Sequence, residues 1–290
     1  MFSRFSRSWE LVKVSLNVLK KDKELLIFPL FSSIAAVAVV ASFMPFFDIG
    51  SAAGPTTATA VEGDAETINL IVFGAFYFVE YFVIFFFNTA LVGAALIRMD
   101  GGNPTVGDGL RIATSKIDKI LGYTLIAATI GLALRAIAER VGFIGRIVVG
   151  LLGAGWTIAS FLTVPILVSK DIGPIDAVRE SASLLKKTWG ENLITTTGFG
   201  LVFWLIYIGL FFLVGSVAYA IRGNGELLIA WLVVGVLAFM LTGLLHAALQ
   251  GIFSAALYRY ATDGEVGGGF DTDTLSRVFA PKGLPKSLTP

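Results

Sequence analysis

Residues 68–97 read INLIVFGAFYFVEYFVIFFFNTALVGAALI, thirty positions with a single acidic or basic side chain, Glu80, and no proline. A helix needs roughly 20 apolar residues to cross the ~30 Å hydrocarbon core of a bilayer. This run exceeds that and lacks the polar face that a surface helix of a water-soluble domain carries, so its solvent is lipid.

Five further runs of comparable character occur at 25–46, 120–138, 143–168, 193–221 and 227–257. The composition agrees, with 56% hydrophobic and 15% charged residues and a mean hydropathy of +0.81, values outside the range of water-soluble folds. The fold class is therefore all-α: a polytopic membrane protein of about six transmembrane helices, read as one membrane domain over 1–290 with 261–290 as a cytoplasmic tail. The third run is the weakest. Arg135 and Glu139 close it early, and it pairs with the fourth as a short hairpin at Gly142 and Gly145. Pro165 is the one clear interruption of the fourth.

Lys and Arg are retained on the cytoplasmic side during insertion. Residues 1–24 carry six of them, and 98–119, 170–187 and 259–286 carry four each. The opposite face holds Arg135, Arg140, Arg146 and Arg222, so eighteen stand against four and both termini are expected in the cytoplasm of a multi-pass cell-membrane protein. The first loop on the far side, Asp48 to Asn69, has Asp48, Glu62, Asp64 and Glu66 but no positive residue. The first apolar run, about 22 residues behind a basic amphipathic stretch, is too long for a signal-peptide core and is read as a retained helix.

The chain also repeats itself. DGLRIATSKIDKILGYTLI at 108–126 matches DAVRESASLLKKTWGENLI at 176–194, sixty-eight positions on, in Asp, Arg, Ser, Lys, Gly and the Leu-Ile pair. The preceding membrane helices end alike, LVGAALIRMDGGNP at 91–104 and LTVPILVSKDIGP at 162–174, and SAALYRYATDG at 254–264 followed by DTDTLSR at 271–277 is a shorter echo. SWELVKVSLNVLKKDKELLIFPL at 8–30 fits the plan more loosely, with Leu11, Val14, Val18 and Leu19 on one face and Lys13, Lys20, Lys21 and Lys23 on the other. The implied unit is a cytoplasmic amphipathic helix followed by a membrane hairpin, three times over, at approximately 8–98, 105–169 and 175–260. Such helices lie in the headgroup plane and attract anionic lipid, so Lys20, Lys21, Lys186 and Lys187 are the expected inner-leaflet contacts. Pro104, Pro174, Asp108 and Asp176 suit helix starts, and the two Asp-x-x-Arg pairs read as local salt bridges.

The opening MFSRFSRSWELVKVSL, GGNPTVGDGLRIA and GPIDAVRESASLLKKTWGE resemble a prokaryotic family of uncharacterised six-helix membrane proteins, a domain of unknown function. The chain is also loosely similar to the membrane domain attached to some glycerophosphodiester phosphodiesterases. That likeness implies no catalytic residue, because the phosphodiesterase chemistry sits in a separate soluble domain.

Ionisable and polar groups at membrane depth are functional candidates. Glu80 stands among aromatics, with Asn88 two turns on. Thr242, His246, Gln250 and Ser254 recur every fourth residue on helix six, beside a small-residue ridge of Gly243, Ala247, Gly251 and Ala255. This face reads either as a packing seam to a neighbouring helix, through Glu80 or Asn88, or as a polar pathway. No metal site or cofactor is expected: His246 is the only histidine and cysteine is absent, which also removes disulfides and thiolate chemistry. GGNPTVGDG and EVGGG lack the lysine and hydroxyl of a phosphate-binding loop and read as turns. No hydrolase motif occurs, and a net charge of +1 gives no bias toward nucleic acid.

The residues therefore point to a non-enzymatic membrane protein, a scaffold or accessory component at the cytoplasmic leaflet. Its expected partners are the bilayer, anionic headgroups, and a second copy or another membrane protein. The alternative is a transporter or channel for a small molecule, ion or lipid that uses the polar face of helix six. A lipid-modifying enzyme ranks third, since no nucleophile or metal can be assigned to it.

Overall fold

A computed structural model describes residues 2–46, 62–189 and 198–264. Ten α-helices follow in order: α1 (Phe2–Lys21), α2 (Ile27–Phe43), α3 (Glu62–Met99), α4 (Val106–Ser115), α5 (Ile117–Arg140), α6 (Phe143–Ala159), α7 (Thr163–Ser169), α8 (Pro174–Trp189), α9 (Gly198–Ala220) and α10 (Gly225–Asp263). Among the described residues there is no strand. Six helical segments are long and apolar enough to cross a membrane: Lys23–Phe46, Ile71–Met99, Ile117–Arg140, Phe143–Ser169, Val202–Ala220 and Gly225–Asp263. The order of a short helix followed by two long apolar segments occurs three times. Of the expected loop Asp48 to Asn69, the part from Glu62 on, with Asp64 and Glu66, is the start of α3; the rest of it, the DTDTLSR echo, the EVGGG turn and the tail beyond Gly264 lie outside the described residues.

The chain divides into two compact units. The first comprises Met1–Pro29, Ala94–Val106 and Ser183–Pro290, and the second Leu30–Gly93 and Gly107–Ala182.

In the first unit α9 and α10 form an antiparallel hairpin joined through Ile221–Asn224. The Asn224 side chain accepts a 3.2 Å bond from the Leu227 N–H and so caps α10. Contacts step along the pair in opposite senses: the Trp231 indole donates to the Val214 carbonyl at 3.0 Å, Tyr207 stacks over Phe239, and Phe203 over His246. Helix α1 packs against both α9 and α10, burying Val12, Ser15, Val18 and Leu19. The sequence placed the face of Leu11, Val14, Val18 and Leu19 in the headgroup layer, but protein covers it at Val18 and Leu19; the side chains of Leu11 and Val14 lie outside those described. Hydrophobicity at helical spacing says only that a face leaves water, and here a helix hairpin takes it. Helix α10 ends at Gly264, whose φ of 73° is the left-handed conformation glycine adopts without strain.

In the second unit α3 and α5 pack through aromatic side chains, with Phe85 and Tyr123 centroids 4.6 Å apart. Helices α5 and α6 form the expected hairpin, turning at Val141 and Gly142. Helix α5 extends two residues beyond the expected 120–138 run. It runs to Arg140, because Arg135 donates to the Tyr77 hydroxyl and to Glu139, both at 2.9 Å, and keeps its charge satisfied along the helix. The fourth span is broken between Ala159 and Thr163. In a continuous helix Pro165 would clash with the Phe161 carbonyl; starting α7 at Thr163 puts it in a first turn, where no N–H is needed. The Leu162 N–H released by the break donates to the buried Ser181 hydroxyl of α8 at 3.0 Å. Two glycines seat the short helices: a Cβ at Gly93 would lie 2.9 Å from Ile112 of α4, and one at Gly122 2.8 Å from Pro174 of α8.

Turn chemistry at the end of α3 follows the sequence. Gly101, at φ 85°, donates to the Arg98 carbonyl and Gly102 to that of Ile97, the paired bonds of a Schellman motif. Pro174 opens α8, with Asp176 two residues on, whereas Pro104 stands two residues ahead of α4 and Asp108 is that helix's third residue.

Candidate functional site

Lys20 and Lys21 close α1, and Lys186 and Lys187 close α8; basic residues in a last turn complement the negative end of the helix dipole. All four are exposed, belong to the first unit, and enter no ion pair among the described residues.

The other charges of the short-helix segments behave differently. In the first unit the Arg98 guanidinium donates from Nε and Nη2 to the two oxygens of Asp22, whose side chain is only 8% exposed, and from Nη2 to the Asn103 amide oxygen at 2.8 Å. Arg259 pairs with Asp100 and, at 2.7 Å, with Asp263. These bonds join the turn after α1 to the end of α3, and the end of α3 to the end of α10. A bidentate arginine on a nearly buried carboxylate is a geometry-fixing contact, since removing either partner strands the other charge.

In the second unit Lys119 pairs with Asp171, Lys116 lies 3.9 Å from the same carboxylate and donates to the Lys170 carbonyl at 3.2 Å, and Lys170 pairs with Glu180. The Lys119 hydrogen bond, then the charges of Lys119 and Lys116, hold the Asp171 carboxyl below the usual aspartate range. The two Asp-x-x-Arg motifs form matching pairs: Arg111 donates to Asp108 and Arg179 to Asp176, each at 3.3 Å on an exposed surface.

Sequence reasoning did not single out Asp22, Arg98, Asn103, Asp100, Arg259, Asp171 or Lys119. Their signal was present, in that Arg98, Lys170 and Arg259 each close a membrane segment and an aspartate follows within four residues. Counting them as orientation signals hid that they also bind one another.

Along helix six, here α10, the four polar residues do not form one network. Thr242 bonds back to the Ala238 carbonyl and Ser254 to that of Gly251, both at 2.8 Å. His246 stacks on Phe203 at 4.2 Å with an interplanar angle of 12°, while Gln250 is exposed. The small-residue ridge meets α9 at Gly243, where a Cβ would come 3.8 Å from the Tyr207 hydroxyl. Asn88 is half-buried on α3, and one carboxyl oxygen of Glu80, Oε1, is buried without a hydrogen-bond donor among the described residues. Glu80 and Asn88 belong to the second unit and the α10 stripe to the first.

These features amount to exposed lysines at two helix ends and, separately, a set of mutually neutralised charges, and no group of three metal-ligating side chains occurs among the described residues. A family model described as a family of unknown function (DUF6159) matches residues 67–269, which is most of α3 and everything from α4 through α10. No curated protein matches the sequence.

Proposed function

The chain belongs to DUF6159, a family of unknown function, and from that premise we propose that it is a non-enzymatic membrane scaffold whose cytoplasmic face holds anionic lipid headgroups. The observation that carries this reading is the division of labour among charges. Asp22, Asp100, Asp171, Glu180 and their basic partners are spent on one another, while Lys20, Lys21, Lys186 and Lys187 stay exposed at two helix ends of one unit. Basic side chains next to a membrane segment are attracted by about 1 kcal/mol each to an anionic leaflet. The excess of Lys and Arg on this side supports a cytoplasmic orientation with both termini inside. The recurring order of short helix and hairpin supports reading α1, α4 and α8 as equivalent elements of a threefold repeat. The family match gives no support to the looser likeness to the membrane domain of glycerophosphodiester phosphodiesterases.

The test is native mass spectrometry of the purified full chain with phosphatidylglycerol and with phosphatidylcholine. Preferential retention of phosphatidylglycerol, lost when Lys20, Lys21, Lys186 and Lys187 are all changed to Gln, is expected. Equal retention of the two lipids, or unchanged retention by the variant, would refute the headgroup reading.

Transport along α10 is the second reading, favoured by the exposure of Gln250 within the polar stripe. It predicts that cysteines placed at 246 and 250 react with a membrane-impermeant thiol reagent in vesicles. Protection of both would retire it.

A further inference from the structure

Glu80 poses a local problem in the second unit. It sits nine residues inside the membrane segment that begins at Ile71, and its Oε1 is buried with no donor among the described residues. An unsatisfied carboxyl oxygen in lipid is costly, and ionisable groups at such depth are paired with one another or with backbone.

One turn away on the same helix, the Tyr77 hydroxyl accepts a 2.9 Å bond from Arg135 of α5, whose guanidinium also lies over the Phe73 ring at 4.7 Å. Side chains on a helix lean toward its N-terminus, which carries the Glu80 carboxyl toward the Tyr77 turn and so toward Arg135. The carboxylate that Arg135 now holds is Glu139, on its own helix at 2.9 Å, with the two side chains 50% and 63% exposed. An exposed pair of that kind is worth little.

We propose that Arg135 is a two-position switch, paired with Glu139 toward the α5–α6 turn in the state described and able to pass to Glu80 within the membrane. Three features make the two positions comparable in energy. The Glu139 pair is weak because water already solvates both charges. Leaving Glu80 unpaired is costly because lipid does not solvate it. Tyr77, which already holds the guanidinium, stands one turn from Glu80 on the same helix, so the exchange starts from a supported position. The exchange draws a positive charge inward along α3 and rotates the end of α5 against it, so the α5–α6 hairpin has two settings. This inference is independent of the headgroup reading and uses none of its residues.

The experiment uses the full chain in phosphatidylcholine vesicles and dicyclohexylcarbodiimide, an apolar reagent that forms a stable N-acylurea on carboxyls in lipid that are not held in an ion pair. The adduct at Glu80 is read by peptide mass. The unchanged protein should be labelled at Glu80. Glu139→Gln removes the competing partner, so Arg135 moves to Glu80 and labelling falls at least fivefold. Adding Arg135→Gln to Glu139→Gln should restore it, which a misfolded protein would not do. No labelling of the unchanged protein, undiminished labelling in Glu139→Gln, or no recovery in the double variant would each overturn the switch.

Discussion

Helix α10 has two halves of similar hydrophobicity and opposite surroundings. From Leu227 to Leu241 most large side chains face outward, with Leu237 53% exposed, while Trp231 and Phe239 turn to α9; from Ala248 to Tyr258 every side chain but that of Gln250 is buried, with Leu249 at 0%. The first half reads LLIAWLVVGVLAFML and the second ALQGIFSAALY. Lipid is as apolar as leucine, so hydrophobicity gives no force between helices in a membrane; close approach by small residues does. The half rich in Ala, Gly and Ser is therefore the one that packs, and the bulky half is the one left for acyl chains. The same contrast separates the ends of other helices: Ala90 to Ala95 of α3 and Leu162 to Leu167 of α7 are buried, while Phe143, Ile144 and Leu151 of α6 are largely exposed.

The largest expected break in this contrast comes from the ion pairs that accompany the packed half. Asp22→Ala leaves the half-buried Arg98 guanidinium without its carboxylate and should cost about 3 kcal/mol, seen as a large drop in the thermal midpoint of the detergent-solubilised protein. Next is Ala255→Leu. Position 255 is fully buried, and overpacking of this kind costs about 1–3 kcal/mol, read in the same assay. The matching change in the other half, Leu237→Ala, should shift the midpoint by less than about 0.5 kcal/mol, because the side chain faces outward and its loss leaves no cavity between helices. Equal effects of Ala255→Leu and Leu237→Ala would mean that the two halves do not differ as described.

The smallest effect is electrostatic and lies in the second unit. The Asp171 carboxyl is held below its ordinary range by Lys119 and Lys116, so its contribution is fully present above the unfolded aspartate value of about 3.9 and is lost as pH falls through the lower folded value. Unfolding midpoints should therefore be flat near neutrality and decline in acid. Asp171→Asn should reduce that decline slightly, the group being exposed to solvent.

Much of this architecture was legible beforehand. The six segments, the α5–α6 turn, the helix-opening Pro174 and the Asp-x-x-Arg pairs follow from local rules, because each depends on residues within a turn or two of one another. The destination of the α1 face was not legible, since Val18 and Leu19 look the same whether lipid or protein covers them. Nor was the partner of Arg135, a tyrosine 58 positions away on α3.

The sequence by itself determined that the chain is a set of helices built for lipid, because length and hydropathy are sums over neighbouring residues and need no knowledge of the rest. Only the tertiary structure decided which apolar faces meet protein, which charges neutralise each other, and which carboxyl is left without a donor. Those outcomes depend on contacts between residues such as Asp22 and Arg98, 76 positions apart, and no local pattern encodes the partner of a contact made at that distance.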